Sequence, residues 1–533
     1  MCANNLENPL SSRSISTSFY LPWLIGLLVG LLYLLTLAPG VLWQDSGMFQ
    51  VHIWQSDLRG RLGLALAHPL YIVLARAFTW IIPGDFAWRV NLFSAVCSAG
   101  AIALFFASLV RLTRLIWPAL VAVALLALSH TFWTHAVIAE VYGLYALLLS
   151  LEMYLLVRYH QSTSPRKAWW LVSLFLVNGL NISNHLLALL HLPAYVIYTL
   201  LQVRARRIRI SRLVFMLLAL SIGAGLYEAM IIVQISRGSG FVDTVKSALF
   251  GIHWQNHVIG RIPDLTTLAK CLGYFLLNFP TPLLLLAPAG IYFALRDSRV
   301  RSVAAVWFGI CTVAFIFALR YRVPDQYVFF FPCYIFTVVF IGLAVSRIGS
   351  AQPSKAFLSN KIVVLALALL PALIYELVPV VIARVEFLAH IADQALLVGG
   401  PVPGRDTYAY FLRPRKNADR SAEVFALAAL ELAQPDGLII ADNTTRNPII
   451  YLQQVRGFYT GVYLAQGDDL QAGKEAKPNL AAVDRCLASG RKVFIVSPSR
   501  QSVLAEQLRA QGRFRLIPKY PLYEVQLLDL PPS

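Results

Sequence analysis

The stretch from Pro39 to Tyr71 reads PGVLWQDSGMFQVHIWQSDLRGRLGLALAHPLY, and the segment from Leu70 to Ile82 follows it. Asp45, His52, Asp57, Arg59, Arg61 and His68 fall within one short run of a chain that is poor in charge. Leu70–Ile82 is apolar but has only about 13 residues, carries Arg76 inside it and ends at Pro83-Gly84, whereas a membrane span needs about 17–25 residues. Whether that segment crosses a bilayer decides which side every later loop faces.

The 533 residues are 58% hydrophobic and 14% charged, against about 25% charged in soluble domains. Repeated apolar runs of about 20 residues make this a polytopic membrane protein. The runs are Phe19–Ala38, Trp88–Val110, Pro118–Thr131, Ala136–Val157, Trp169–Ile182, Leu186–Leu201, Leu213–Ile235, Leu268–Leu295, Val303–Leu319, Tyr327–Val345 and Ile362–Val385. The first resembles a signal peptide, but it is longer than an ordinary apolar signal core and no small-residue cleavage site precedes Pro39, so it reads as an uncleaved span.

If Leu70–Ile82 does not span and the N-terminus is cytoplasmic, loops 111–117, 158–168, 202–212, 296–302 and 346–361 all face the cytoplasm. Together they hold sixteen Lys and Arg, including the run Arg204-Ala-Arg206-Arg207-Ile-Arg209. Letting the segment span would turn all five outward, against the inward bias of basic loops. The segment therefore reads as an amphipathic helix at the outer interface. The expectation is eleven spans, a cytoplasmic 1–18, a membrane domain over 19–385 with its first outer loop at 39–87, and an external soluble domain over 386–533. The net charge of +18 is explained by this topology, and with no continuous basic face a nucleic-acid partner is not expected. Six cysteines without ligand spacing argue against a disulfide framework or a zinc site.

From about residue 405 the composition turns mixed and polar. Gly437–Asp442 and Lys492–Ser497 read as buried strands, Ala422–Ala433, Pro448–Val455 and Ser502–Gln511 as helices, and Phe514–Pro518 with Leu522–Leu528 as a closing hairpin. The fold class is thus mainly α, a membrane helix bundle with a small C-terminal α/β domain. That domain has no Gly-rich phosphate loop and no nucleophile elbow, so a lid or acceptor-binding role suits it better than a second catalytic centre.

Under this topology the non-basic polar residues gather on the outer face. Asp45 follows the first span; a carboxylate there, beside lipid and aromatic rings, can serve as a general base, or it can cap the helix that Ser46-Gly47 begins. His68-Pro69 opens the interfacial helix. Arg89 heads the next span and can pair with a phosphate or with Asp85. The run His130-Thr-Phe-Trp-Thr-His135-Ala-Val-Ile-Ala-Glu140-Val-Tyr142 places Glu140 inside a predicted span, where a carboxylate is a functional candidate; its five-residue distance from His135 fits no standard helical metal pair. Asn184-His185 closes another outer helix end, while His191 reads as a buried, hydrogen-bonded histidine. Arg320, Arg322, Asp325 and Tyr327 cluster at a helix start, either as an interfacial belt with snorkelling arginines or as a phosphate clamp with a sugar-stacking tyrosine.

The order of these motifs carries a resemblance. An aspartate after span one, a His-Pro opening an amphipathic segment, Arg89-Val-Asn-Leu-Phe-Ser-Ala95, Phe132-Trp133 with Ala139-Glu-Val-Tyr142, and Asn184-His185 together resemble the GT-C glycosyltransferases. Within them the chain is similar to the family of the transmembrane O-mannosyltransferase of plexin-type receptors and its bacterial members, chiefly over residues 20–200. The resemblance implies transfer of a sugar, of hexosyl or mannosyl type, from a polyprenyl-phosphate carrier to a hydroxyl acceptor on protein, lipid or glycan. It also implies that Asp45 is the base and that His68, Glu140 and His185 line the site. Two positions depart from the family pattern: Met48 stands where Glu is usual, and the His-Pro-Pro-Gly-Tyr-Pro run is shortened to His68-Pro69-Leu-Tyr71.

The expected reaction is inverting and metal-independent, without cofactor, at the periplasmic face of a bacterial inner membrane. Asp45 would deprotonate the acceptor. Arg89, or Arg320 and Arg322, would hold the donor phosphate, and Tyr142, His68 and His185 would shape the sugar pocket, with His135, Asn184, Asp325 and Tyr327 lining it. The expected partners are the lipid-linked donor, the hydroxyl acceptor and membrane lipids. The main alternative is a transporter or lipid flippase, which would keep its polar residues near the midplane and could use the break at Asn278-Phe-Pro-Thr-Pro282. A scaffold without activity would not need so many His, Asp and Arg at helix tips.

Overall fold

A computed structural model describes residues 13–59, 63–251, 264–321, 323, 325–351, 360–396, 401–466 and 480–528. The chain is a multi-pass membrane protein, mostly helical, with one small sheet near its C-terminus. The helices are α1 (Arg13–Leu35), α2 (Gln44–Gln55), α3 (Pro69–Ile81), α4 (Phe86–Thr113), α5 (Ile116–Ala127), α6 (His130–Ala136), α7 (Tyr142–Gln161) and α8 (Ala168–Asn184). After a 3₁₀ turn at Leu186–His191 come α9 (Leu192–Arg204), α10 (Arg212–Ser236), α11 (Phe241–Phe250), α12 (Leu265–Asn278), α13 (Leu286–Arg296), α14 (Arg301–Arg320), α15 (Gln326–Phe329), α16 (Phe331–Ala351), α17 (Lys361–Arg384) and α18 (Glu386–Leu396).

Each of the eleven expected spans falls on a helix or a broken helix. By length and apolarity, however, only six of the described helices cross a bilayer unaided, and α5 with α6, bent by 69°, makes a seventh. The shortfall has physical causes. The segment expected at Leu268–Leu295 is broken after Asn278, because Pro280 and Pro282 cannot continue the backbone ladder. Helix α8 has 17 residues, and α7 carries Glu152, Arg158 and His160. The Leu70–Ile82 segment is the 13-residue helix α3, with Pro69 in its first turn; it buries Leu70, Tyr71, Ile72 and Ala75 and leaves Val73, Leu74, Trp80 and Ile81 exposed.

Close helix approach depends on glycine at one crossing in particular. A Cβ on Gly179 of α8 would lie 2.1 Å from the carbonyl oxygen of Leu220, and one on Gly223 of α10 would lie 2.2 Å from that of Leu176. Small residues at facing positions let the two backbones touch, the usual means of helix association where burial from water gives no drive.

Past α18 the chain forms α19 (Thr407–Leu412), α20 (Ser421–Leu432), β1 (Leu438–Ala441), α21 (Asn443–Gln454), β2 (Tyr463–Gln466), α22 (Leu480–Ala488), β3 (Val493–Ile495), α23 (Ser502–Ala510), β4 (Phe514–Lys519) and β5 (Leu522–Leu527). The sheet order is β2-β1-β3-β5-β4, with β1 parallel to β2 and β3 and with β5 antiparallel to β3 and β4. The expected strands and closing hairpin are present, and β2 is an additional strand. Alternation along β1 divides the domain: Leu438 and Ile440 pack with Val493, Leu504 and Phe514, whereas Ile439 and Ala441 join the core that continues into the bundle.

The α/β domain is seated on the end of the bundle that carries α2. Trp43 Nε1 donates to Ser421 Oγ at 2.9 Å, Asn447 Nδ2 donates to the Gln44 carbonyl at 2.9 Å, and the Ala87 amide donates to Tyr451 Oη at 3.0 Å. Arg456 pairs with Asp85 at 2.7 Å, and the Lys416 amide reaches the Thr36 carbonyl at 2.9 Å. The loop after α1 and the C-terminal domain therefore share one side, as the parity of the basic loops requires.

Candidate active site

Asp45 lies in the first turn of α2, half-buried, where a negative charge is favoured by the helix dipole. It is not the helix cap. Trp43 holds that position and makes no side-chain capping bond, and Gln44, between the two, has φ 55° in the left-handed region, which is uncommon for a residue with a side chain. The strained entry is held from both sides. Gln50 Nε2 donates to Asn91 Oδ1 at 2.9 Å, Asn91 Nδ2 donates to the carbonyls of Ala38 and Gly40, and the Trp43 ring packs on Phe425 at 5.2 Å.

Glu140 stands in the turn before α7. The sequence places it inside a span, but the helix begins only at Tyr142. Its backbone is clamped by Ser94 Oγ, and its carboxylate accepts from the Val141 amide and, at 3.5 Å, from Ser46 Oγ. Burial, and then the charges of Asp45 and Asp325, push its carboxyl above the ordinary range. Asp325, which precedes α15, is also pushed up by burial. Three carboxylates thus converge from the loop after α1, the turn before α7 and the turn before α15. Among the described residues no basic side chain forms an ion pair with Glu140.

Neutral aromatic and imidazole rings surround this acidic group. His68 and His185 stack at 5.0 Å, Tyr142 lies 5.3 Å from His185 and 5.0 Å from His135, and His135 is 6.5 Å from Tyr327. His68 Nδ1 is 2.7 Å from the Asn184 carbonyl and so must carry its proton there; burial pushes its pKa down to about 4. His185 Nδ1 accepts from the Leu187 amide at 3.1 Å, which leaves its proton on Nε2. Asn184 Nδ2 donates to the Val141 carbonyl at 3.3 Å and ties α8 to the Glu140 turn. Of the residues singled out from sequence, Asp45, His68, His135, Glu140, Tyr142, Asn184, His185, Asp325 and Tyr327 are joined in this one cluster.

The expected phosphate-binding arginines stand differently. Arg89 donates to the Thr79 carbonyl and, at 3.3 Å, to that of Ile82, and it packs over Phe86; it staples the end of α3 to α4. Arg320 is exposed at the end of α14, and Arg322 lies outside the described residues.

Three residues that the sequence does not single out enter instead, on the segment between α18 and α20. Tyr410 is half-buried, and its hydroxyl feels the charges of Glu140 and Asp45. The Arg405 guanidinium lies over the Tyr410 ring at 4.6 Å and the Trp43 ring at 5.8 Å; its Nε and Nη1 are buried without a hydrogen-bond partner, and burial lowers its pKa. Lys416 is buried beneath the same ring, donates to the Tyr410 carbonyl at 2.6 Å, and is pushed down by burial to about 7. Sequence spacing could not have found them, because they reach the site only through the docking of the C-terminal domain.

A second missed group has a signal that could have found it. Glu152, inside α7, is fully buried. It accepts from Asn181 at 3.2 Å, from Asn178 at 3.4 Å and from Tyr195 at 2.9 Å, and it pairs with His191 Nδ1 at 2.8 Å. His191 Nε2 in turn meets Tyr145 Oη at 2.7 Å. A carboxylate in the middle of an apolar run is itself a flag.

Residues 64–209, about a quarter of the chain, match a family model described as the N-terminal domain of the protein O-mannosyl-transferase TMEM260. The matched region starts after Asp45 and includes His68, His135, Glu140, Tyr142, Asn184 and His185. Among solved structures, ArnT from Cupriavidus metallidurans in the apo state superposes with TM-score 0.57 at 15% identity, covering 96% of this chain and 98% of that one. The same protein bound to undecaprenyl phosphate gives 0.56 at 13%, covering 97% and 98%. The archaeal oligosaccharyltransferase AglB from Archaeoglobus fulgidus, in complex with an inhibitory peptide and a dolichol-phosphate, gives 0.50 at 12%, covering 98% and 75%. No curated protein sequence matches. The chain has the GT-C glycosyltransferase fold, as its motif order implied.

Proposed function

We propose that this protein is an inverting glycosyltransferase that moves a sugar, of hexosyl or mannosyl type, from a polyprenyl-phosphate carrier to a hydroxyl acceptor. The reaction runs at the extracytoplasmic face of a bacterial inner membrane. The observation that carries the proposal is the convergence of Asp45, Glu140 and Asp325 at the end of the bundle where the α/β domain sits, ringed by neutral imidazoles and tyrosines. The undecaprenyl phosphate of one fold neighbour and the dolichol-phosphate of the other support a lipid-linked donor.

Asp45 takes the proton of the acceptor hydroxyl. The freed oxygen pair attacks the anomeric carbon from the face opposite the phosphate, and the glycosidic C–O pair leaves with the polyprenyl phosphate. Glu140, whose carboxyl is pushed up by burial and then by its acidic neighbours, serves as a hydrogen-bond donor to sugar or acceptor rather than as a second base. Arg405, with two unpartnered buried nitrogens, binds the phosphate, the part that Arg89 cannot take while it is held by backbone carbonyls; Lys416, itself held by the Tyr410 and Arg413 carbonyls, stands behind it. His68, His135, Tyr142, Asn184, His185 and Tyr327 shape the sugar pocket. Residues 19–385 form the catalytic membrane domain and 386–533 complete it from outside.

The test is incubation of purified protein in nanodiscs with radiolabelled polyprenyl-phosphate sugars, following label to water and to acceptor. Wild-type protein consumes donor, D45N does not, and R405Q raises the donor KM. Full donor consumption by D45N overturns the assignment.

A further inference from the structure

Between α2 and the α/β domain lies a cleft of about 370 Å³, a volume in the range of small-ligand sites. Its floor is one stripe of α2. Met48, His52 and Gln55 line it, and these positions follow Asp45 at intervals of three, four and three, so all four residues lie on one helical face. At 1.5 Å per residue the stripe runs about 15 Å from the base to the far end of the cleft. Ser46, which meets Glu140, lies a quarter-turn away on the bundle side. Asp45 does not itself line the cleft; it lies about one helical turn before Met48 on the same face, with the acidic group of the bundle beside it.

The opposite wall comes from α21 and β2. Asn447 both lines the cleft and donates to the Gln44 carbonyl, so the wall is registered to the residue next to Asp45. At the far end Gln55 Nε2 donates to Gln454 Oε1 across the gap. The lining carries the side-chain amides of Gln55, Asn443, Asn447, Gln453 and Gln454 and the half-exposed ring of Tyr463, and Arg446 and Asp57 balance each other in charge. An amide offers a donor and an acceptor side by side, as each hydroxyl of a sugar does; Asn447 and Gln453 already donate to backbone carbonyls and present their oxygens, and an aromatic face covers the apolar face of a pyranose. A polyanion would find one arginine there.

We infer that this cleft binds the acceptor, and that the acceptor is a neutral oligosaccharide laid along α2 with its terminal hydroxyl toward Asp45. This rests on the reading of Asp45 as base, and it makes the α/β domain the acceptor-binding half of the enzyme.

The test uses full-length protein in detergent on surfaces printed with neutral hexose and N-acetylhexosamine oligomers, beside Ser/Thr-rich peptides. Wild-type protein is expected to bind oligosaccharides. M48W, which fills the floor, and Q454L, on the exposed rim, should each lower that signal at least ten-fold at an unchanged melting temperature, while D45N binds within two-fold of wild type. Absence of oligosaccharide binding, binding that neither cleft variant alters, or peptide binding lost in both variants overturns the inference. The assignment of the base fails separately, by donor consumption in D45N.

Discussion

Glu140 and Glu152 lie twelve residues apart, one before α7 and one inside it, and both are buried. Glu152 is saturated: two amides, a phenol and an imidazole surround it, and together they bind α7 to α8 and α9. Glu140 has one long hydroxyl contact, one backbone amide at Val141 and two acidic neighbours. A carboxylate with every lone pair occupied holds helices together; one left short of partners among like charges is available to a ligand. Depth in the bundle does not distinguish the two acids; the number of their partners does, and the proposed function assigns the less saturated one to the site.

The contrast can be tested at several strengths. D45N should lower transfer by roughly 10²–10⁴-fold, the span for loss of a general base, in protein that still folds. E152A should do the reverse. Removing one partner of a buried ion pair costs about 3–5 kcal/mol, read as a large drop in melting temperature, and turnover per folded molecule should survive. If E152A melted like wild type and lost turnover, the two acids would have to exchange roles. G223V tests the same bundle without touching an acid: overpacking the α8–α10 crossing should cost about 1–3 kcal/mol by thermal melt.

E140Q probes the unsaturated member through pH. The pKa of Glu140 in the folded protein lies well above the ordinary 4.5, so the folded protein binds that proton more tightly than the unfolded chain does. Stability therefore falls as pH rises from the unfolded value through the folded one. E140Q removes this loss. Its advantage in melting temperature should vanish below about pH 4 and grow towards pH 8, by about 1.4 kcal/mol for each pH unit that separates the folded from the unfolded pKa. A gain at low pH would show that Glu140 is ionised and paired. The smallest effect belongs to R456Q, at the partly exposed bridge to Asp85, with about 0–1 kcal/mol expected in the docking of the α/β domain.

Much of this architecture is legible in the sequence because membrane topology rests on local composition. The apolar runs, the basic loops and a helix too short to span place the polar clusters on one side, and β1 and β3 follow from short buried apolar runs bounded by turn residues, with the β4–β5 hairpin closing the chain after them. The order of short motifs also carries the fold. Arg89 misleads because an arginine at a helix start suits a phosphate and a backbone carbonyl equally, and only tertiary structure shows that Thr79 and Ile82 hold it. Eleven spans are more than the described helices reach unaided, because prolines break one run after Asn278 while short length in α8 and charge in α7 hold two more below the requirement. Arg405, Tyr410 and Lys416 are invisible in the sequence for another reason. They lie in mixed sequence without a motif, and only the docking of a domain more than 350 residues downstream of Asp45 brings them beside it.

That docking also sets an order of events during synthesis. The helix bearing Asp45 is made among the first 55 residues, yet its N-terminal turn is fastened by Ser421, Phe425 and Asn447. Until that late segment folds, α2 is a twelve-residue amphiphile with a strained entry and half of its supports missing. A ribosome-bound chain can therefore hold every membrane helix in place and still have no assembled reaction centre. On the function proposed above, the later segment would complete the earlier turn, and donor lipid would not be consumed before that segment folds.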